Sequence, residues 1–190
     1  MTGLAFISPI ILLIKNHYNV SSNEVQLTIT IYLVAICISQ IFWGPLSDLI
    51  GRRVVLIIGA SLFSLGGILA SLNLAFEVFV FFRFLQGVGA AACLSMPRVM
   101  LTESYGVKKA AAKMSTLLAF MAIFPILSAA FGGYIGENYG WQINFFTLFI
   151  FGGIVFSLNY VYSPETIKNK YKRLNFRTTF LDFRYLFGQI

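Results

Sequence analysis

The stretch GPLSDLIGRR, residues 44–53, decides the fold because it sets one aspartate and two arginines between two long apolar segments. The segments, residues 25–43 and 54–72, are each about 20 residues long, enough for a helix to cross a hydrocarbon layer about 30 Å thick. Gly44 is expected to end the first helix or to pack closely, and Gly51 to allow a tight reversal. The stretch therefore predicts a hairpin of two membrane helices.

The composition extends this prediction to the whole chain, which is 58% hydrophobic and 11% charged, with a mean hydropathy of +0.80. Soluble domains carry about 25% charged residues. We predict an all-α, polytopic membrane helix bundle of about six transmembrane helices, because a lipid-exposed backbone must satisfy its hydrogen bonds within each segment. The first predicted span is too short to cross unless residues precede Met1. The spans cover residues 2–14, 25–43, 54–72, 75–101, 114–135 and 141–162.

The net charge of +7 is unevenly distributed between the connections. Every second connection is basic and the others are nearly bare, which is the asymmetry of a multi-pass protein whose basic loops face the cytoplasm. We therefore expect a cell-membrane protein with cytoplasmic basic loops and tail, and no binding to nucleic acid. The Lys and Arg residues of these loops and of the tail are Arg52, Arg53, Arg98, Lys108, Lys109, Lys113, Lys168, Lys170, Lys172, Arg173, Arg177 and Arg184.

The residues offer no chemistry for catalysis. The sequence has no Ser/His/Asp set, paired carboxylates, phosphate-binding glycine loop or His/Cys metal cluster. Cys37 and Cys93 lie in apolar runs and are interpreted as small buried hydrophobes. The sequence therefore predicts a protein that is not an enzyme and has no metal or other cofactor, so that any energy source is an ion gradient or a partner.

Arg83 is the sharpest candidate, since it lies about eight residues into the fourth span, about 12 Å along a helix. An ionisable residue at such a depth is costly and by default functional. The alternative is an arginine that extends to the bilayer interface. Gln86, at i+3, shares its helix face and either completes a polar patch or bonds a neighbouring helix. Gly87 begins a small-residue face that close helix packing explains.

Asp48 is expected to pair with Arg52 or Arg53 next to the start of the following helix. A short charged link bounded by glycines makes a stiff hairpin whose ionic contacts can form and break, so it is a candidate gate. The alternative is that the two arginines only set the topology.

Several motifs together resemble the major facilitator superfamily. The pattern G-x-L-x-D-x-x-G-R-R of residues 44–53 is similar to the signature loop between the family's second and third helices. RFLQGVGAAA, residues 83–92, resembles R-x-x-x-G-x-x-A of its fourth helix. In PILSAAFGGYIG, residues 125–136, Gly132 and Gly133 match the end of the antiporter motif. The nearest resemblance is to drug:proton antiporters of the bicyclomycin-resistance and chloramphenicol-efflux type.

The resemblance implies roles for single residues. Arg83 would couple proton movement to substrate movement without carrying the proton, because arginine stays charged. The family commonly has an acid where Glu103 stands, so Glu103 is the expected ion-pair partner of the gate. The sequence departs from the family pattern at three positions: Ala5 stands near an acid often found in the first helix, and Ser128 and Ala129 replace the Gly-Pro that precedes the paired glycines.

Family members have twelve spans, and the chain resembles the first half only. The implied organisation is a six-helix bundle over residues 1–163 and a basic cytoplasmic linker over residues 164–190 that stops before a seventh helix. The leading hypothesis is proton-coupled efflux of drugs or other small amphipathic molecules by a half-transporter, in the bacterial inner membrane if the chain is bacterial. Its expected partners are the lipid bilayer, the substrate, the proton and a separate C-terminal half chain. The alternatives are a truncated or split-gene remnant that inserts without transport, and a homodimer.

Overall fold

The computed structural model describes residues 2–167, which form helices joined by short turns, with no strand in that range. Residues 168–190, which hold most of the predicted linker, lie outside the described residues. The long helix α5 is interrupted at Gly106, where φ is +69°, so its two parts are called α5a (Phe76–Gly106) and α5b (Lys108–Tyr139). The elements are α1 (Thr2–Ala5), a 3-10 turn (Ser8–Ile10), α2 (Ile11–Tyr18), α3 (Ser22–Ile50), α4 (Arg52–Ser71), α5 (Phe76–Tyr139) and α6 (Trp141–Tyr162).

Five helices are long and apolar enough to cross a membrane, namely α3, α4, α5a, α5b and α6. The predicted all-α membrane bundle is confirmed. The first span is short, as predicted: the apolar segment Gly3–Tyr18 is shorter than the five long helices. Pro9 lies in the 3-10 turn that interrupts this segment, and proline cannot donate the backbone hydrogen bond that a continuous helix needs.

The predicted loop between the fourth and fifth spans does not exist as a loop. Residues 102–113 are helical apart from the break at Gly106. The α5a helix has 31 residues and is therefore about 46 Å long, more than the hydrocarbon thickness of about 30 Å. Polar residues such as Glu103 and Lys108 extend the helices beyond the apolar layer, so apolar runs alone underestimate the helix length.

The bundle has two distinct ends, which we name by their residues. The charged end holds the α3–α4 turn at Gly51 and the Gly106 break, and Arg53 of α4 contacts the carbonyl of Tyr160 near the end of α6 there. The opposite end holds His17 of α2, which hydrogen-bonds to Asn73 in the α4–α5a connection. The predicted reversal at Gly51 is present, with a φ of +110° that glycine adopts without strain.

Helix α4 lies at the centre and packs on α5a and α6. Glycines let α4 and α5a approach closely: a Cβ at Gly89 would meet the backbone of Phe63 and Gly59, and one at Gly66 would lie 2.9 Å from the backbone nitrogen of Gln86. Small residues at such crossings are typical of membrane helices. Helix α5b contributes little to this core, and side chains such as Ile126 remain exposed.

Candidate functional site

Arg83 lies inside the bundle and is completely buried. Its guanidinium carbon is 4.3 Å from the ring centroid of Tyr32 in α3 and 5.7 Å from that of Phe145 in α6. Its Nη1 donates a hydrogen bond to Oε1 of Gln86, which is also buried. The side chain therefore points among α3, α5a and α6 and not toward a bilayer interface.

Several polar atoms around Arg83 have no hydrogen-bond partner within residues 2–167. They are Nε and Nη2 of Arg83, Nε2 of Gln86 and the hydroxyl of Tyr32. Buried polar groups in proteins are normally hydrogen-bonded, so this cluster has donors available for another molecule or for another segment.

Gly87 allows α3 to approach α5a closely enough for Tyr32 to contact Arg83. A Cβ at Gly87 would lie 2.6 Å from the backbone oxygen of Tyr32 and 2.8 Å from the Cβ of Ala35. Any side chain there would push α3 away from α5a. Gly87 was predicted as a packing residue, and its close contact with α3 also sets the distance between Tyr32 and Arg83.

A cavity of about 310 Å³ adjoins this cluster. Tyr32 belongs to both, because its ring lies against Arg83 and also lines the cavity. The remaining walls are almost entirely apolar, which is typical of sites for small organic molecules. Its lining residues are Tyr32, Ala60, Phe63, Ala90, Cys93, Leu94, Leu117, Phe120, Met121, Phe124, Pro125, Phe151, Gly152 and Val155.

Sequence reasoning identified Arg83 and Gln86 but not the cavity. Its walls come from five helices, and phenylalanines such as Phe63 and Phe124 have the same composition and spacing as the phenylalanines that face lipid. Only the packing of α5b against the other helices separates the two groups, so no signal in the sequence alone would have found the cavity.

Arg52 organises the charged end. Its Nη2 lies 2.6 Å from Oδ1 of Asp48 in the last turn of α3 and 3.0 Å from Oε1 of Glu103 in α5a. Its Nη1 also donates hydrogen bonds to the hydroxyl of Ser47 and to the carbonyl of Gly44. One guanidinium therefore ties three helices together at this end, and the Arg52 side chain is only 12% exposed.

The segment after α6 joins the same cluster. Oε1 of Glu165 accepts a hydrogen bond of 2.9 Å from the backbone nitrogen of Arg52. The hydroxyl of Thr166 donates a bond of 2.6 Å to Oε2 of Glu103. Sequence reasoning assigned no role to Glu165 or Thr166, and the structure adds both residues to the cluster.

Two of the predicted roles need correction. The expectation that Gly44 ends the helix or packs closely is wrong, because α3 continues to Ile50 and a Cβ at Gly44 would meet nothing within 4 Å. Arg53 does not join Asp48; it donates a 2.5 Å hydrogen bond to the carbonyl of Tyr160 in α6. The reason is geometric, since consecutive residues of a helix point to different sides.

The paired glycines of α5b differ in their surroundings. A Cβ at Gly132 would collide with the backbone oxygen of Phe6, whereas one at Gly133 would lie at an ordinary 3.6 Å from the Cβ of Pro9. The carbonyl of Gly132 also accepts a 2.8 Å hydrogen bond from the buried Asn144 of α6. Gly132 thus lets the first segment and α6 meet α5b, and α5b remains helical through Pro125.

The described residues thus form a polytopic membrane helix bundle with a buried arginine beside an apolar cavity. The chain belongs to the Major Facilitator Superfamily, whose family model matches residues 1–189. The resemblance stated from the motifs is therefore confirmed. Among the described residues, no group of three or more His, Cys, Asp or Glu side chains could hold a metal ion.

The chain is also similar in sequence to named resistance proteins. The chain is 31% identical over 148 residues to the multidrug resistance protein MdtL of Escherichia coli O81 (strain ED1a), covering 78% of the chain and 38% of that protein. It is 26% identical over 168 residues to the bicyclomycin resistance protein homolog of Haemophilus influenzae, covering 88% and 42%. The chain thus spans about two fifths of the length of these relatives.

The fold is also that of a solved transporter. The proton:xylose symporter XylE, bound to 6-bromo-6-deoxy-D-glucose, superposes with a TM-score of 0.61 at 19% sequence identity, covering 87% of this chain and 43% of that one. At this identity the likeness shows the fold alone. It places this chain against less than half of a family member.

Proposed function

We propose that the chain supplies the amino-terminal half of a proton-coupled exporter of drugs or other small amphipathic molecules. The observation that carries this proposal is the apolar cavity of about 310 Å³ beside the buried Arg83. The names of the relatives, a multidrug resistance protein and a bicyclomycin resistance protein homolog, support the substrate class. Residues 1–163 form the transmembrane bundle of this half, and residues 164–190 form a basic linker on the cytoplasmic side.

Transport by alternating access needs a second bundle that rocks against this one around a central site. The second six-helix half is therefore the main partner, with the lipid bilayer, the substrate and the proton. Arg83 stays charged at all physiological pH values. Its role is to bias the proton affinity of a neighbouring group and to orient the substrate, because its free donors face the interior.

The charged end acts as the gate in this proposal. Asp48 and Glu103 both bind Arg52, so α3, α4 and α5a are held together while these contacts persist. Exposed ion pairs are individually weak. A cluster of several contacts on one guanidinium can nevertheless be released as a unit when the bundle rocks, which suits a latch that must both hold and open.

The transport test uses bacteria that lack their major drug exporters. The chain is expressed alone and together with the second half of MdtL, and the cellular accumulation of chloramphenicol is measured. We expect lower accumulation when both halves are present, and loss of this effect in Arg83→Ala but not in Arg83→Lys. The competing hypothesis, a chain that inserts without transport, predicts unchanged accumulation in every combination.

Topology is tested separately, because the cytoplasmic position of the basic loops is part of the proposal. Single cysteines replace Arg53, Lys108 and Asn73 in a background where both native cysteines are serine. An impermeant maleimide added to intact cells should label position 73 and spare positions 53 and 108. Labelling of 53 and 108 from opposite sides would refute the arrangement.

A further inference from the structure

We propose that the cavity binds neutral and anionic aromatic molecules and discriminates against lipophilic cations, with Arg83 as the residue that sets this charge preference. The inference rests on the proposed function, since it names the substrate class of the same site. It follows from three observations on residues 2–167: the positions of the acidic side chains, the lack of a carboxylate against Arg83, and the ring of Tyr32, which both contacts Arg83 and lines the cavity.

The acidic side chains of residues 2–167 lie at the helix ends and not in the cavity wall. The sequence has seven Asp and Glu residues, and the described ones lie in the first or last turn of a long helix or after α6. None of them lines the cavity. The described residues are Glu24, Asp48, Glu77, Glu103, Glu137 and Glu165.

Arg83 has no carboxylate against it within the described residues. Its side chain contacts the neutral Gln86 and the rings of Tyr32 and Phe145. Gly3 of the first segment faces the Tyr32 hydroxyl, at 3.1 Å from the position a Cβ would take, but carries no side chain. The positive charge therefore remains uncompensated in this half of the bundle.

The ring of Tyr32 lies between the charge of Arg83 and the cavity. The guanidinium carbon lies 4.3 Å from the centroid of Tyr32, whose ring also lines the cavity. Electrostatic interactions are stronger in such an apolar interior than in water. A cation in the cavity would be repelled, whereas an anion or a ligand carbonyl would be attracted and could accept a hydrogen bond from the free Tyr32 hydroxyl.

Aromatic rings attract cations, and this attraction opposes the repulsion between Arg83 and a cation in the cavity. Phe63, Phe120, Phe124 and Phe151 all line the cavity. Cation–π attraction requires a ring face within about 6 Å of the cation, and the Tyr32 ring already has Arg83 against it. A phenylalanine ring offers only a quadrupole, which falls off faster with distance than the full charge of Arg83, so repulsion decides the preference.

A matched set of fluorescent probes tests the proposal. Dansylglycine, dansylamide and dansylcadaverine carry the same fluorophore with a negative, zero and positive charge at pH 7. Their binding to the chain in zwitterionic lipid nanodiscs is measured by dansyl emission, with empty nanodiscs as the background. We expect dansylcadaverine to bind at least tenfold more weakly than the other two. Equal or tighter binding of the cation, or no binding of any probe, would overturn the proposal.

Two pairs of variants assign the effect. Arg83→Lys keeps the charge and should keep the preference, whereas Arg83→Gln should reduce the difference between the probes to less than threefold. Val155→Trp fills the cavity and should weaken all three probes, while Val161→Trp lies on the same helix outside the cavity, at a residue 67% exposed, and should change none. If Arg83→Gln does not fold, the order of the three probes on the unaltered chain still decides.

Failure of this inference is distinguishable from failure of the proposed function. Tight binding of the cation at a site that Val155→Trp abolishes would leave the drug exporter intact and reverse only the charge preference. Unchanged chloramphenicol accumulation with normal probe selectivity would refute export and leave the binding site.

Discussion

The substitution Gly87→Ala tests whether the contact between α3 and α5a positions the site. The added Cβ would lie 2.6 Å from the backbone oxygen of Tyr32, and this atom cannot rotate away as a side chain would. Reaching an ordinary contact of 3.4 Å requires α3 to move by about 0.8 Å. Overpacking of this kind costs about 1–3 kcal/mol, which is the destabilisation that we expect from the clash itself.

Gly44→Ala is the matched control. Gly44 is also a helical glycine, and a Cβ there meets nothing within 4 Å. Both substitutions gain the same helix preference of about 0.5–1 kcal/mol, so the difference between the two variants isolates the clash. We expect unfolding in mixed micelles to separate them by about 1–3 kcal/mol. Equal unfolding midpoints would show that α3 and α5a are not held at this distance.

Two further predictions concern the helix ends. Glu103→Gln removes one of the two carboxylates that bind Arg52, the one at 3.0 Å, so the variant should lose up to about 1 kcal/mol and part of the salt dependence of its thermal midpoint. Glu77→Gln, whose residue is not in that cluster, should keep the full salt dependence. The same salt dependence in both variants would exclude the ion pair. Asn144→Ala removes a buried hydrogen bond of 2.8 Å and should lower the stability by about 1–3 kcal/mol. Asn138→Ala, at an exposed position, should have almost no effect in the same unfolding assay. Equal unfolding midpoints for these two variants would contradict the buried contact.

The sequence was sufficient to predict the class of fold because the length of each apolar segment and the charge of each loop can be read from consecutive residues, without knowledge of the packing. Residues 25–43 lie within α3, the predicted span 54–72 matches α4 to within one residue at its end, and the turn between them lies at Gly51 as predicted. The first segment and the connection at residues 102–113 were less predictable. A proline turn interrupts the former, and helical polar residues extend the latter, so neither follows from apolar length alone.

The candidate site was predictable only where a residue is unusual for its surroundings. Arg83 is conspicuous because it is charged within an apolar helix, and its position needs no structure. Tyr32 is an ordinary tyrosine in an apolar run, and its importance arises from the close contact at Gly87. The contacts of Glu165 and Thr166 with α4 and α5a depend on how α6 returns to the charged end, so no local pattern in the sequence predicts them.

The two clusters are joined by one element, α5a, which carries Arg83 near one end and Glu103 near the other. The 20 helical steps from Arg83 to Glu103 correspond to about 30 Å of helix, the thickness of the hydrocarbon layer. Pro97 lies between the two and withholds a hydrogen bond from the carbonyl of Cys93, a cavity-lining residue. The carbonyl that Pro97 leaves without its helical hydrogen bond therefore lies between the Glu103–Arg52 ion pair and Arg83, next to the cavity wall at Cys93.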